Sequence, residues 1–314
     1  MQIMKTSVKY FSLFCLIILS SISCKKEITY TLPTTERKIV VNSFFSTERL
    51  MRVDVYSSSF VTDKNGTNFY LNNATVSVYG NGSLVEVLPN IADGTYQSSV
   101  SSPQQGVNYT LEVVVPNMGT ATSSVPLLYP VPVLGFDSVG VVTDEWNQKS
   151  IKTHIKIKDN PDEENYYHLT LWKYSYNYSY DEMENPILDS IPYTSYLYVT
   201  SNDPVFEAGT DGILFFSDVL INGKEYDLEV LINEYEFDNH TSCILAVLEH
   251  ISRDYYRYSV ALPKHFDAED LNMFMEAVIV QNNIENGVGI FGTSSQSTDT
   301  LYNYNFENPI QEIK

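Results

Sequence analysis

Apolar residues in this chain recur mostly at every second position, the period of a strand with one face buried. Ile39-Val40-Val41 predicts a short apolar strand, and Met51, Val53 and Val55 then alternate with Arg52, Asp54 and Tyr56. Ala74, Val76 and Val78 repeat the pattern, and Gly80-Asn81-Gly82 predicts a tight turn back into Ser83 to Leu88. Asp93-Gly94 marks a further turn with Tyr96 beyond it. Tyr109, Leu111, Val113 and Val115 line one face, Pro116-Asn117-Met118-Gly119 reverses the chain, and Thr120 to Val125 pairs back. Short strands with frequent turns over residues 38–128 predict an antiparallel β-sandwich of immunoglobulin or transthyretin type.

Pro126, Pro130 and Pro132 form a stiff boundary, and residues 133–314 read as a larger antiparallel β domain with one or two short helices. Ile151, Thr153, Ile155 and Ile157 face one way and Lys152, His154, Lys156 and Lys158 the other, which predicts an edge-like strand whose basic side is solvated. In Tyr166 to Tyr180, Trp172, Tyr174, Tyr176, Tyr178 and Tyr180 fall at alternate positions, so one continuous strand carries five rings on one side and Lys173, Ser175, Asn177 and Ser179 on the other. Packing of those rings on a partner sheet is the favoured reading, because a half-buried strand has one apolar and one polar side. An exposed aromatic ligand platform is the alternative. Ile213 to Phe216 and Glu225 to Ile232 read as two strands joined through Asn222-Gly223.

Helical spacing appears only after Glu249, where Ile251, Tyr255, Tyr258 and Leu262 form a stripe with Ser252 as cap and Pro263 as stop. Asp270 to Val280 fits either a helix or a strand. The run Asn283 to Gly292 reads as a strand punctuated by Gly287, Gly289 and Gly292. Its glycine spacing copies a dinucleotide fingerprint but lacks the strand–turn–helix setting.

The first 23 residues do not belong to this pattern. Lys5 and Lys9 precede nine mostly apolar residues, Phe11 to Leu19, and Ser20 to Ser23 lead into Cys24. This is the three-part build of a secretory signal, and it is far short of the roughly 20 apolar residues that cross a bilayer. Ser21-Ile22-Ser23-Cys24 resembles a bacterial lipobox, with Ser21 where leucine is usual. The resemblance implies cleavage before Cys24 and its acylation, which anchors the chain in the outer-membrane bilayer. Residues 24–37 then serve as a tether. With Cys15 in the leader and Cys24 modified, no intrachain disulfide is expected, and Cys243 reads as a small buried apolar residue in Cys243 to Leu248.

Charge removes one class of partner. The 19 Lys and Arg are outnumbered by 39 Asp and Glu, and losing Lys5 and Lys9 with the leader moves the formal charge from −20 to −22. Nucleic acid is excluded, since phosphate binding needs clustered bases. The five histidines are scattered, and no HExxH, GxSxG or phosphate loop is present. Asp159, Asp162, Glu163 and Glu164 form an oxygen-rich turn that calcium could use. They lack the EF-hand order, so a solvated acidic loop is favoured and no metal or cofactor is expected.

Fragments along the mature chain resemble the envelope lipoproteins grouped as domain of unknown function 4249. They include Lys38-Ile39-Val40-Val41-Asn42, Gly106-Val107-Asn108-Tyr109-Thr110-Leu111, Asn202-Asp203-Pro204-Val205-Phe206 and Asn283 to Gly292. The resemblance implies a non-enzymatic lipoprotein encoded beside a TonB-dependent outer-membrane receptor and serving it in nutrient uptake, and it brings no catalytic residues. The alternative is a surface adhesin, or a glycan- or peptide-binding module, using the aromatic strand face. Lys25-Lys26-Glu27, directly after the cysteine, favour the cell surface over the periplasmic face.

Overall fold

One long sheet collects strands from the beginning, middle and end of the chain. The computed structural model describes residues 36–302 except 61–62, 64–67, 176–177, 181–185, 189–192, 208–213, 237–240 and 272–277. The leader, Cys24 and most of the tether therefore lie outside the described residues. The sheet runs in the order β14 (Tyr193–Tyr196), β11 (Tyr166–Ser175), β17 (Thr241–Ile251), β18 (Gly287–Tyr302), β1 (Ile39–Ser46), β2 (Arg52–Ser57), β6 (Thr95–Gln97), β5 (Asn90–Ala92), with β15 (Leu214–Ser217) also on β11.

Two smaller sheets cover the inner face of this long one. β4 (Ser83–Leu88), β3 (Thr75–Gly80), β7 (Asn108–Val115) and β8 (Gly119–Pro126) form the first, and β16 (Glu225–Asn233), β10 (Lys149–Lys158) and β9 (Val133–Thr143) form the second. The first closes a core of Val41, Val53, Val55, Val76, Val78, Leu111 and Val113, the alternating positions of the sequence. The second closes a core of Ile155, Ile157, Leu169, Leu171, Leu228, Val230, Ile244 and Leu248. Asn81 and Gly82 both take positive φ (49° and 81°) between β3 and β4, as a two-residue hairpin turn demands. The mainly β, sandwich-like fold expected from strand periodicity is the one observed.

The boundary expected at residues 128–133 does not divide this architecture, and Arg37–Lys314 forms one compact unit. The reason is β18. Its first half pairs in parallel with β1, Ile39 to Gly287 through Ser46 to Ser294, and its second half pairs antiparallel with β17. Phe291 thus sits in the first core and Leu301 in the second. The proline-rich connection is fastened to these central strands: Thr293 Oγ1 donates to the Pro126 carbonyl, Ser297 Oγ to that of Val131, and His250 Nδ1 meets that of Tyr129 at 2.7 Å.

Several local expectations need correction. β10 is the central strand of its sheet, not an edge, and its lysines face acids on β16: Lys152 to Glu229 at 2.5 Å, Lys156 to Asp227 and Lys158 to Glu225 at 3.9 Å. His154 lies 3.8 Å from the same Glu229. β15 and β16 are not a hairpin but belong to different sheets. The helix α1 (Arg253–Leu271) runs through Pro263, because Tyr255, Tyr256 and Val260 pack its first half against Ile251 and Phe215 on the outer face of the long sheet. Ser252 starts it through its carbonyl, which accepts from Tyr256 N, while its hydroxyl accepts from Thr293 N. Of Asp270 to Val280, the first two residues are the end of α1 and 272–277 lie outside the described residues.

Candidate functional site

The aromatic residues singled out in the sequence are divided by the structure. β11 ends at Ser175, Tyr176 lies outside the described residues, and Tyr178 and Tyr180 belong to β12 (Tyr178–Tyr180), which pairs with β13 (Pro186–Leu188) in a sheet of its own. The side chains of Tyr178 and Tyr180 also lie outside the described residues. Only Trp172 and Tyr174 are placed on the long sheet, and they point away from the core. Tyr167, Leu169 and Leu171 are fully buried on the opposite face of β11, and alternation carries Trp172 and Tyr174 outward. Of the polar residues that alternate with them, the two on β11 turn inward: Ser175 is fully buried, and Lys173 reaches the Glu236 carbonyl and carboxylate at 3.0 and 3.3 Å, while Asn177 and the side chain of Ser179 lie outside the described residues.

Residues directly opposed in neighbouring strands point to the same side of a sheet. Register therefore sets Tyr196, Trp172, Leu245 and Thr300 in one row. Thr194, Tyr174, Cys243 and Tyr302 form the next row, and Thr170, Val247 and Thr298 flank the first on its other side. With strands ~4.8 Å apart, a row of four spans about 15 Å. Trp172 is 36% exposed and meets Tyr196 edge-on at 5.5 Å, Tyr196 meets Tyr198 in the same way, and Tyr198 is 73% exposed. The indole N–H of Trp172 donates to Thr170 Oγ1 at 3.2 Å, which fixes the ring on the sheet. Burial, and then the neighbouring Tyr198, hold the Tyr196 phenol above its ordinary pKa, so it stays a neutral donor. Cys243, expected in the core, lies partly exposed on this outer face, because Ile244, Ala246 and Leu248 take the inward positions.

Tyr196, Tyr198 and Tyr302 were not singled out in the sequence. The alternation of Tyr196 and Tyr198 was a usable signal, but only the β11–β14 pairing shows that they join Trp172.

The acidic turn does not come together as an ion site. Asp159 is buried, with Oδ1 accepting from the Tyr167 hydroxyl and Oδ2 from Gly223 N at 2.7 Å, while Asp162, Glu163 and Glu164 are exposed. Among the described residues, no three His, Cys, Asp or Glu side chains converge as a metal site would require. Farther along the outer face, His168 Nδ1 meets Glu249 Oε2 at 2.7 Å and its ring stacks on Phe215. His168 Nε2 is buried and has no hydrogen-bond partner among the described residues.

The outer face thus presents aromatic rings and hydroxyls on a β floor. No curated protein matches the chain. One solved structure aligns over 87% of this chain and 95% of its own, at 12% identity and a TM-score of 0.18, too low to bear on fold or function. It is described as the complete structure of manganese lipoxygenase of Gaeumannomyces graminis and partial structure of zonadhesin of Komagataella pastoris. A family model described as Domain of unknown function (DUF4249) matches residues 25–300, nearly the whole length, and the chain belongs to that family.

Proposed function

We propose that the chain is a lipid-anchored, non-enzymatic capture protein of the outer membrane that holds a ligand on the open aromatic face of its long sheet for a TonB-dependent transporter. The observation that carries this reading is the aromatic run Trp172–Tyr196–Tyr198, exposed at both ends, beside β11 and β17 positions whose opposite face is buried in the core. Rings with few rotatable bonds give large contact area at low entropic cost, and they stack on the C–H faces of sugars or on extended peptides. Cys24 supplies the anchor, since one residue carrying several acyl chains is held firmly. The resemblance to receptor-linked lipoproteins supports the transporter as partner, and Lys25-Lys26-Glu27 favour the cell surface. A second reading, an adhesin or glycan-binding module, draws on the same exposure of Tyr198.

The test is purification of the full-length chain from native membranes, followed by glycan and peptide arrays. Wild type is expected to retain a receptor-type β-barrel and an array ligand. Trp172→Ala should lose the ligand at least tenfold, about 1.4 kcal/mol, and keep the barrel. Recovery of no barrel removes the transporter role, and an array ligand without a barrel favours the adhesin. Ligand binding indifferent to Trp172→Ala removes the aromatic face from both readings.

A further inference from the structure

We propose that a cleft beside the turn joining β1 and β2 is a second binding site, which takes a small carboxylate carrying an apolar group and uses Arg49 as its anchor. The cleft, about 600 Å³, lies on the outer face of the long sheet, on β1, β2 and β6, away from the Trp172 rows. That volume is within the ~300–1,000 Å³ typical of small-molecule sites.

Its chemistry follows from which side chains are already committed. Arg52 is paired with Asp54 at 3.1 Å, and Asp54 also accepts from Thr95 Oγ1 at 2.7 Å, so these charges cancel. Arg49, Asn42 and Gln97 also line the cleft, and among the described residues their side chains make no hydrogen bond or ion pair. Arg49 is thus the cation of the cleft whose hydrogen-bond donors are unused, with Glu249 and Tyr255 near enough to feel its charge, in a chain where carboxylates outnumber basic residues two to one. Phe44 and Leu50 supply apolar wall at 42% and 38% exposure, and the inner side of Phe44 packs on Tyr255 and Tyr258 of α1, which holds it in place.

One planar guanidinium flanked by two amides matches one carboxylate, which it grips through two parallel hydrogen bonds. A phosphate dianion would bring twice the charge into the field of a strongly acidic molecule for the same single cation, so the monoanion is the better fit. The exposed Phe44 and Leu50 account for the apolar part of the ligand.

The experiment uses the full-length chain in detergent, with 3-phenylpropionate as probe and its neutral amide, 3-phenylpropionamide, as reference, read by ligand-observed NMR. Wild type is expected to bind the acid at least tenfold more tightly than the amide. Arg49→Gln, on an exposed turn, should erase that preference while still unfolding in one cooperative transition, and Arg49→Lys should keep part of it. Leu50→Asn should weaken acid and amide alike. Trp172→Ala should leave the preference intact, which separates this site from the aromatic face. Equal binding of acid and amide by wild type, or a preference unchanged in Arg49→Gln, overturns the proposal.

Discussion

Glu249 and His250 are neighbours on β17 that point to opposite faces of the sheet, and both respond to burial. Burial alone would raise the Glu249 carboxyl, but the hydrogen bond and charge of His168, a bond from Ser294 and the charge of Arg49 outweigh it and hold the group below its ordinary 4.5. Burial pushes His250 below its ordinary 6.5, against the opposing pull of the Tyr129 carbonyl and of Glu163, Asp159 and Asp218. In the unfolded chain His250 takes up a proton that the folded protein resists, so stability falls as pH drops below about 6.5. Glu249 is also protonated more readily when unfolded, so a second loss begins as pH drops below about 4.5. Urea unfolding across pH 8 to 3 should therefore show two declining windows. His250→Asn, which keeps a donor in reach of the Tyr129 carbonyl, should lose the upper window and retain the lower one. An unchanged upper window in that variant would assign it to another group.

At the scale of elements, the last strand explains the glycine run that precedes and opens it. Gly289 has φ +125°, and a Cβ there would stand 2.0 Å from the Val41 carbonyl oxygen of β1. Gly289→Ala should destabilise the protein by roughly 3 kcal/mol, from backbone strain and forced separation of β1 and β18. Gly119→Ala, at φ +107° with nothing within 4 Å, should cost only about 1 kcal/mol by the same urea measurement.

The run around Gly289 was visible in the sequence as a strand. Its reason was not, because the carbonyl it must clear belongs to a strand some 250 residues earlier. The same limit explains the other differences. Alternation identified Met51, Val53, Val55, Leu111 and Ile155 as core residues, since period 2 is a local property of a strand. It could not tell that β10 is central, because an edge strand and a central strand alternate alike and its charge partners lie on β16. In β11 both sets of alternate positions carry large apolar residues, Tyr167, Leu169 and Leu171 on one and Trp172 and Tyr174 on the other, so the inward face was ambiguous until β17 and β14 were in place.

For the whole molecule, two cores share one strand, so neither half closes without the C-terminal segment. A fragment of residues 37–132 lacks Ile284 and Phe291 from its core and leaves the β18 side of β1 unpaired. It is expected to show no near-ultraviolet circular dichroism and no cooperative urea transition. Mixed with a peptide of residues 281–298, it should gain both. A cooperative transition in the fragment alone would mean that the four-stranded sheet and β1–β2 suffice.

The first strand of the fold begins two residues beyond Arg37, whose guanidinium is clamped by Asp63 at 2.6 Å and by the Ser58 carbonyl at 2.7 Å. Any mechanical load applied through the residues before Arg37 reaches that clamp and then β1. Because β1 has β18 on one side and β2 on the other, a pull along its axis loads two ladders of hydrogen bonds in shear, and they must fail together rather than unzip one at a time. The lipid anchor proposed at Cys24 would therefore hold the body by one of its best-supported strands.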